Sequence, residues 1–269
     1  MSEYVKARRV LLDALNALGP QRTAVILCGA QAVYIHVGED EFAVAPFTSD
    51  ADLLLSPALL LDEPVLREAM EDAGFRLDDP PGIWRSHDNI EVDLLVPAAL
   101  GGSGRRAAKL GPPHGNMVAR KVKGLEAAMV DNTLTRLEAL DRDDARTFDI
   151  AIAGPAALVV AKLHKIADRV DQPPGRIKDK DGLDVLRLLR GISSQRLAAG
   201  LIGLSGNDLS QEVTVEALDL LPRFFGTTTS EGTQMAVRAT ELLEDPEQIA
   251  ASCEALANEL LTTIEALRA

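Results

Sequence analysis

Residues Thr48-Ser49-Asp50-Ala51-Asp52-Leu53-Leu54-Leu55 place two acids two positions apart at the entrance to an apolar run. Side chains alternate along a strand, so Asp50 and Asp52 share one face. Two carboxylates held side by side repel each other unless a cation lies between them, and hard oxygen ligands of this kind suit Mg²⁺. Such pairs also occur on plain solvated strand ends, so the meaning of this one rests on its surroundings.

Upstream, Val25-Ile26-Leu27-Cys28-Gly29-Ala30 is an apolar run that ends in small residues, and Gln31-Ala32-Val33-Tyr34-Ile35-His36 after it has helical character. A glycine at that turn lets backbone amides at a helix start approach a phosphate. Downstream, Ile90-Glu91-Val92-Asp93-Leu94-Leu95-Val96 is a second strand-like run with acids at 91 and 93. A third carboxylate can thus join the first two; spacing favours Asp93, and Glu91, on the same face of an ideal strand, is the alternative.

Taken in order, Gly29-Ala30, Asp50-x-Asp52 and Asp93 resemble the nucleotidyltransferase superfamily: a small-residue turn after a strand, then Asp-x-Asp, then a third acid on a neighbouring strand. A second block, Ala161-Lys162-Leu163-His164-Lys165-Ile166-Ala167-Asp168-Arg169 followed by Lys180-Asp181-Gly182-Leu183-Asp184, is similar to the Lys…Arg…Lys-Asp-x-x-Asp block of the AbiEii/MenT-like toxin nucleotidyltransferases of bacterial type IV toxin–antitoxin systems. The resemblance runs from about residue 24 to residue 190. It departs from the family pattern at Ala30, where a hydroxyl-bearing or glycine residue is common, and at Pro46, where an arginine is common. The interval between Arg169 and Lys180 is also wide for the compact form of the block.

The resemblance implies an α+β protein: a nucleotidyltransferase-fold N-terminal domain with a mixed sheet, followed by an all-helical C-terminal domain. It implies Mg²⁺ on Asp50, Asp52 and Asp93, catalytic roles for these acids with Lys162 and Asp181, and contacts to a nucleoside triphosphate from Gly29, Ala30, Thr48, Ser49, Lys165 and Arg169. The implied reaction moves a nucleotide from the triphosphate to an acceptor, with the 3′ end of tRNA the family-like choice and a cognate antitoxin the family-like partner. Transfer to a small cationic molecule, as in antibiotic-modifying relatives, and a non-catalytic nucleotide-binding protein of the same fold are the alternatives.

The residues of the second block have their own reading. Lys162 and Arg169 are seven apart, two helical turns, and Lys165 lies beside them, so the three share a face. Such a row can hold a triphosphate, lysine acting as a point charge on phosphate oxygens; it can equally be a solvated face. Asp181 and Asp184, one turn apart, fit ordinary helix pairing; the family pattern implies a catalytic or lysine-orienting role for Asp181, and Arg176 and Lys178 are weaker phosphate or RNA contacts. His164 reads as a helix-face residue, and His36, His87 and His114 lack metal-ligand spacing.

The chain has 269 residues, 46% of them apolar, and a formal charge of −13. That length can bury two modest cores, and the negative balance excludes a general nucleic-acid coat protein. The charge is unevenly spread. From Leu94 to Leu125 there are Arg105, Arg106, Lys109, Arg120, Lys121 and Lys123 with no acid, a basic island that is either a plain surface loop or a patch for an RNA backbone. It contains no stacking aromatic, so charge and shape would carry any RNA contact. From Gly206 to Ala269 there are 12 acids against three arginines.

Cys28 and Cys253 have no metal-type spacing and are expected to be reduced. No signal-peptide core or membrane-length apolar run is present, so a soluble, cytoplasmic protein is expected.

Periodicity predicts a helix over Tyr4 to Leu18 stopped by Gly19-Pro20, and another over Glu63 to Ala73 ended by Gly74. Short strands are expected at Ala24 to Leu27, Ala51 to Leu55, Ile90 to Val96, Asn116 to Lys123, Ala127 to Val130, Thr133 to Leu137 and Phe148 to Ile152. Gly101 to Gly115 reads as a mobile loop. Helices are expected over 156–170, 179–190, 194–203, 210–225 and 247–267. These patterns put the boundary near Ala153, giving domains 1–153 and 154–269.

Overall fold

The computed structural model describes residues 2–38, 48–170, 179–241 and 243–269. The chain is α+β, with a mixed sheet and a set of helices that divide between two compact units. As far as their described residues go, the first unit is made of Met1–Ala32, Pro46–Leu125 and Asn132–Ala153, and the second of Val33–Ala45, Glu126–Asp131 and Gly154–Ala269. A division into two simple blocks therefore misses two short segments that belong with the helical unit.

In the first unit, α1 (Glu3–Leu18) starts where the Ser2 hydroxyl accepts the Val5 amide hydrogen at 3.3 Å. This is the N-cap that a serine before an apolar-periodic run provides. It stops at Gly19, whose φ of 54° is open to glycine at little cost. The strands are β1 (Val25–Cys28), β2 (Asp50–Leu55), β3 (Arg76–Leu77), β4 (Ile83–Arg85), β5 (Glu91–Pro97), β6 (Arg120–Val122), β7 (Asn132–Glu138) and β8 (Thr147–Ala153).

They form one eight-stranded sheet in the order β3-β4-β5-β2-β1-β8-β7, with β6 also paired to β5. Because β2 takes one edge of β5, β4 and β6 follow one another along the other edge. β1 lies antiparallel to β2 and parallel to β8, and β2 lies parallel to β5. Leu53, Leu54, Leu55, Val92, Leu94 and Val96 are buried, which is why these strands read as continuous apolar runs rather than alternating ones. The helix α1 covers β2 and β5 and also packs on α3 (Leu66–Asp72).

Between β1 and β2 the chain enters α2 (Gly29–Val37), and the division between the units falls within this helix. The helical unit contains α4 (Glu126–Val130), α5 (Pro155–Val170), α6 (Lys180–Gly191), α7 (Ser194–Ser205), α8 (Gln211–Phe225), α9 (Glu231–Ala239) and α10 (Pro246–Arg268). α5 packs on α6, α7 and α8, while α9 and α10 close over α6 and α7. Pro155 stands at the first position of α5, where its missing N–H costs no hydrogen bond.

Three expectations need correction. Ala127 to Val130 is not a strand but part of α4, where Glu126 and two alanines favour a helix over the β-structure an apolar run suggests. The strand expected over Asn116 to Lys123 shrinks to Arg120–Val122. Gly101 to Gly115 has no regular element, yet it is tied down. Ala107 bridges to Arg120, Lys109 N–H donates to the Gly101 carbonyl at 2.9 Å, and Lys121 donates to the carbonyls of Gly102 (2.8 Å) and Gly104.

Periodicity did not reveal β3, β4 or α9. The last of these is fixed by close approach to α6: a side chain on Gly182 would meet the Gly232 carbonyl at 2.6 Å. Pro46, Arg176 and Lys178 lie outside the described residues.

Asp131 ends α4 and caps α5. Its carboxylate accepts the Ala157 amide hydrogen at 3.1 Å, and its carbonyl accepts that of Gly154 at 2.8 Å. Asp131→Ala is expected to lower stability by about 1 kcal/mol, the scale of a lost N-cap, and Asp131→Asn by less; thermal melts of the two variants check this.

Both cysteines are buried and unbridged. Burial pushes the Cys253 thiol up to about 12, against its ordinary 9.0, with Arg190 opposing weakly. Below pH 9 both folded and unfolded chains keep this proton; above it only the unfolded chain ionises, so Cys253 makes stability fall as pH rises from 9 towards 12. Alkylation followed by peptide mapping at pH 8 should label Cys253 in denaturant and leave it unlabelled in the folded protein.

Candidate active site

The acids come together through strand register. In the parallel pair of β2 and β5, Asp50 lies opposite Glu91 and Asp52 opposite Asp93. Neighbouring strands are spaced at about 4.8 Å, and alternation keeps Asp50 and Asp52 on one face, as it does Glu91 and Asp93. Four carboxylates are thereby crowded on one face of two adjacent strands. Such crowding is tolerable only if donors or cations answer the charge.

The answers are individual. Thr48, fully buried, donates its hydroxyl to Asp50 Oδ1 at 2.5 Å, so this residue serves the acid face; Ser49 beside it is exposed. Arg85 on β4 binds Glu91 at 2.5 Å and Asp78 at 2.5 Å. Arg120, at the start of β6, donates from Nη2 to Asp93 Oδ2. Burial works against the Arg120 charge, but the charge and hydrogen bond of Asp93, followed by the charges of Asp52 and Glu91, outweigh it and raise its pKa above the ordinary arginine value.

Asp52 is different. It is 8% exposed, and no donor among the described residues reaches its carboxylate. Its backbone carbonyl accepts the Cys28 thiol at 3.4 Å.

Gly29 opens α2 with φ 71°, and a Cβ there would lie 1.9 Å from Asp52 Oδ2. The space that glycine leaves is therefore filled by the Asp52 carboxylate, which sits against the helix start; Ala30, the next residue, is buried. A relay that the sequence reading missed holds the same turn. Arg8 on α1 is buried, is bound by the Tyr4 hydroxyl at 3.0 Å, donates to the Glu138 carbonyl at 3.0 Å, and donates to Gln31 Oε1 at 2.8 Å. Gln31 then donates to the Asp50 carbonyl at 3.2 Å. Arg8 stands five residues from the nearest acid on either side, Glu3 and Asp13, and has no acid at helical i±3 or i±4 spacing, so only the fold reveals it.

In the helical unit the second block forms a charge network. Lys162 is 3% exposed and donates to Asp184 at 2.6 Å and Asp181 at 3.2 Å. Asp181 also receives Arg169 and, at 3.7 Å, Lys165, so the three basic residues of α5 do share a face. Arg187 reaches Asp184 at 3.4 Å, donates to the Tyr34 hydroxyl at 3.2 Å and lies over the Tyr34 ring at 4.9 Å. Both aspartates are fully buried. Asp184 makes the shorter contact to Lys162, so the site reading that kept Asp181 alone omitted its nearer partner; a lysine at i and an aspartate a helix away offer no spacing rule to find it. His164 is a packing residue, its Nε2 at 2.8 Å from the Val213 carbonyl.

Among the described residues, no three His, Cys, Asp or Glu side chains are gathered closely enough to hold a metal ion. What is present fits a divalent ion in donor chemistry: Asp52 and Asp93 offer hard oxygens in register, with Arg120 now answering the charge. The basic island exposes Arg105, Arg106 and Lys109 on the loop that Lys121 pins, and Lys123 just after β6. Among the described residues no helix is long and apolar enough to cross a membrane. No protein-family model and no curated protein matches this chain.

Asp184→Ala removes the carboxylate that meets both Lys162 and Arg187 and leaves Asp181 to answer Lys162. Breaking a buried ion network from one side costs about 3–5 kcal/mol, and Asp184→Asn, which keeps a hydrogen-bond acceptor, is expected to cost less. Equilibrium urea unfolding of the two variants gives the comparison.

Proposed function

We propose that this protein is a Mg²⁺-dependent nucleotidyltransferase that moves a nucleotide from a nucleoside triphosphate to the 3′ end of tRNA, acting as the toxin of a type IV toxin–antitoxin pair. The observation that carries this reading is a buried Asp52 with no donor on its carboxylate, paired in register with Asp93. Burying a carboxylate without a partner is costly, and a site that does so is suited to a cation it does not permanently hold.

In this reading Asp52 and Asp93, with Asp50 beside them on the same face, would hold the ion, which would supply charge neutralisation at the α-phosphate and acidify the attacking hydroxyl. Thr48 and the Arg8–Gln31 relay orient Asp50 from its side chain and its backbone. Lys165 and Arg169, at the less buried edge of the second network, are the phosphate-binding candidates, with Lys162 behind them held in place by Asp181 and Asp184. The exposed arginines of the basic island suit an RNA backbone, whose recognition rests on charge.

Purified protein given Mg²⁺, each α-labelled triphosphate in turn and total bacterial tRNA should transfer label to RNA. Asp52→Ala should lose more than about a hundredfold in rate, the scale of a lost transition-state electrostatic contact. Triphosphate binding with all label left in the nucleotide pool would remove the tRNA acceptor and favour a small-molecule acceptor or a non-catalytic protein.

A further inference from the structure

On the acid face, Glu91 is held by Arg85, and Asp50 by the Thr48 hydroxyl, both within their own loops or neighbouring strands. Arg120 has a different character. It enters from β6, the short strand that continues the outer edge of β5 beyond β4, where it lies in register with Leu95 and two positions along from Asp93. From there its guanidinium binds Asp93 and acts through space on Asp52 and Glu91. Its field thus spans the Asp52–Asp93 pair.

Its fit is incomplete. Arg120 Nε is buried without a hydrogen-bond partner among the described residues, so one edge of the guanidinium is satisfied and the other is not. Leaving a buried N–H unmade has a cost of its own, which a structural ion pair built for stability alone would avoid by using both edges of the fork. The segment that carries it is anchored nearby by the chain's single tryptophan, Trp84, whose indole donates to the Val118 carbonyl at 2.9 Å. The backbone at 118–120 is held there, while the Arg120 side chain is 34% exposed.

We propose that Arg120 is a resident counter-cation: it neutralises Asp93 and Asp52 in the free protein and is displaced from Asp93 when a divalent cation enters between the two carboxylates. This rests on the reading of Asp52 and Asp93 as metal ligands. No covalent step is involved. One guanidinium–carboxylate contact is exchanged for metal–oxygen contacts, and the positive charge of Arg120 opposes the ion electrostatically until it moves. Its role is to position charge, so its removal changes metal affinity directly rather than only a rate.

The test is Mn²⁺ binding to the full chain at pH 7.5, read by electron paramagnetic resonance of the free ion, for wild type, Arg120→Gln, Arg120→Met, Arg120→Lys, Asp52→Asn and Asp93→Asn. Removing a unit positive charge about 6 Å from a divalent ion, at close to the dielectric of water, predicts about tenfold tighter binding in the two neutral variants. Arg120→Lys keeps the charge and should stay within about threefold of wild type, and if one neutral variant fails to fold the other carries the comparison. Asp93→Asn, which removes a proposed ligand, should weaken binding where the Arg120 variants do not.

Binding that appears only once Arg120 is neutralised also supports the proposal. Equal or weaker binding in the neutral variants, with loss in Asp52→Asn and Asp93→Asn, overturns the role of Arg120 and leaves the metal reading standing. Binding that ignores Asp52 and Asp93, or is absent from every variant, overturns both.

Discussion

The first unit is organised around a like-charge problem set by one strand pairing. The parallel register of β2 with β5 puts Asp52 against Asp93 and Asp50 against Glu91, and a slip by one residue would turn all four to the other face. That register is fixed by the apolar residues that follow. Leu53 to Leu55 and Leu94 to Val96 are buried, so the core determines the alignment and the acids must accept it. Everything near them then serves to make the arrangement bearable: a buried threonine hydroxyl, two arginines from the adjoining edge of β5, and a relay from α1 through Gln31.

The helical unit meets the inverse problem. Lys162 and Arg187 are almost fully buried, and each is matched to an aspartate on α6 that is buried completely. Isolated, any of these charges would be expelled or neutralised; together they hold α5 to α6 at one geometry, at little net gain in stability over an apolar contact. A network that contributes little to stability and yet orders so many side chains is more economically explained by what it positions. In this case that is Lys165 and Arg169, which meet the same Asp181 from a more exposed place on the helix.

Much of the architecture was legible in the sequence because long periodic segments and strong stop signals agree with one another. α1 with its Gly19 end, β2 and β5 with their apolar cores, and α5 with Pro155 at its first position were all readable. The short edge strands β3 and β4 were not, since two or three residues carry no period, and α9 was not, since its place depends on two glycines far apart in the chain meeting across helices. At the site, spacing along one segment found the acids and the basic row of α5. It missed Arg8, Gln31 and Arg85, and it placed Arg120 in the basic island and Asp184 in ordinary helix pairing, because the importance of all five arises from pairings between segments. Those residues are visible only once register and helix crossings are known.

Gly29 shows how the two levels differ. From sequence, a glycine between strand and helix suggests backbone approaching a phosphate. In the fold, the room it leaves is occupied by the Asp52 carboxylate, and any side chain there would collide with that oxygen. The first residue of α2 also lies at the positive end of a nine-residue helix, where a negative group is favoured. The glycine therefore acts on the acid, making room for its carboxylate. A phosphate brought to this helix start must approach beside Asp52, and two negative groups at such a distance require a cation between them. The same turn that resembles a phosphate cradle thus demands positive charge, which Arg120 supplies to the acid pair in the structure as it stands.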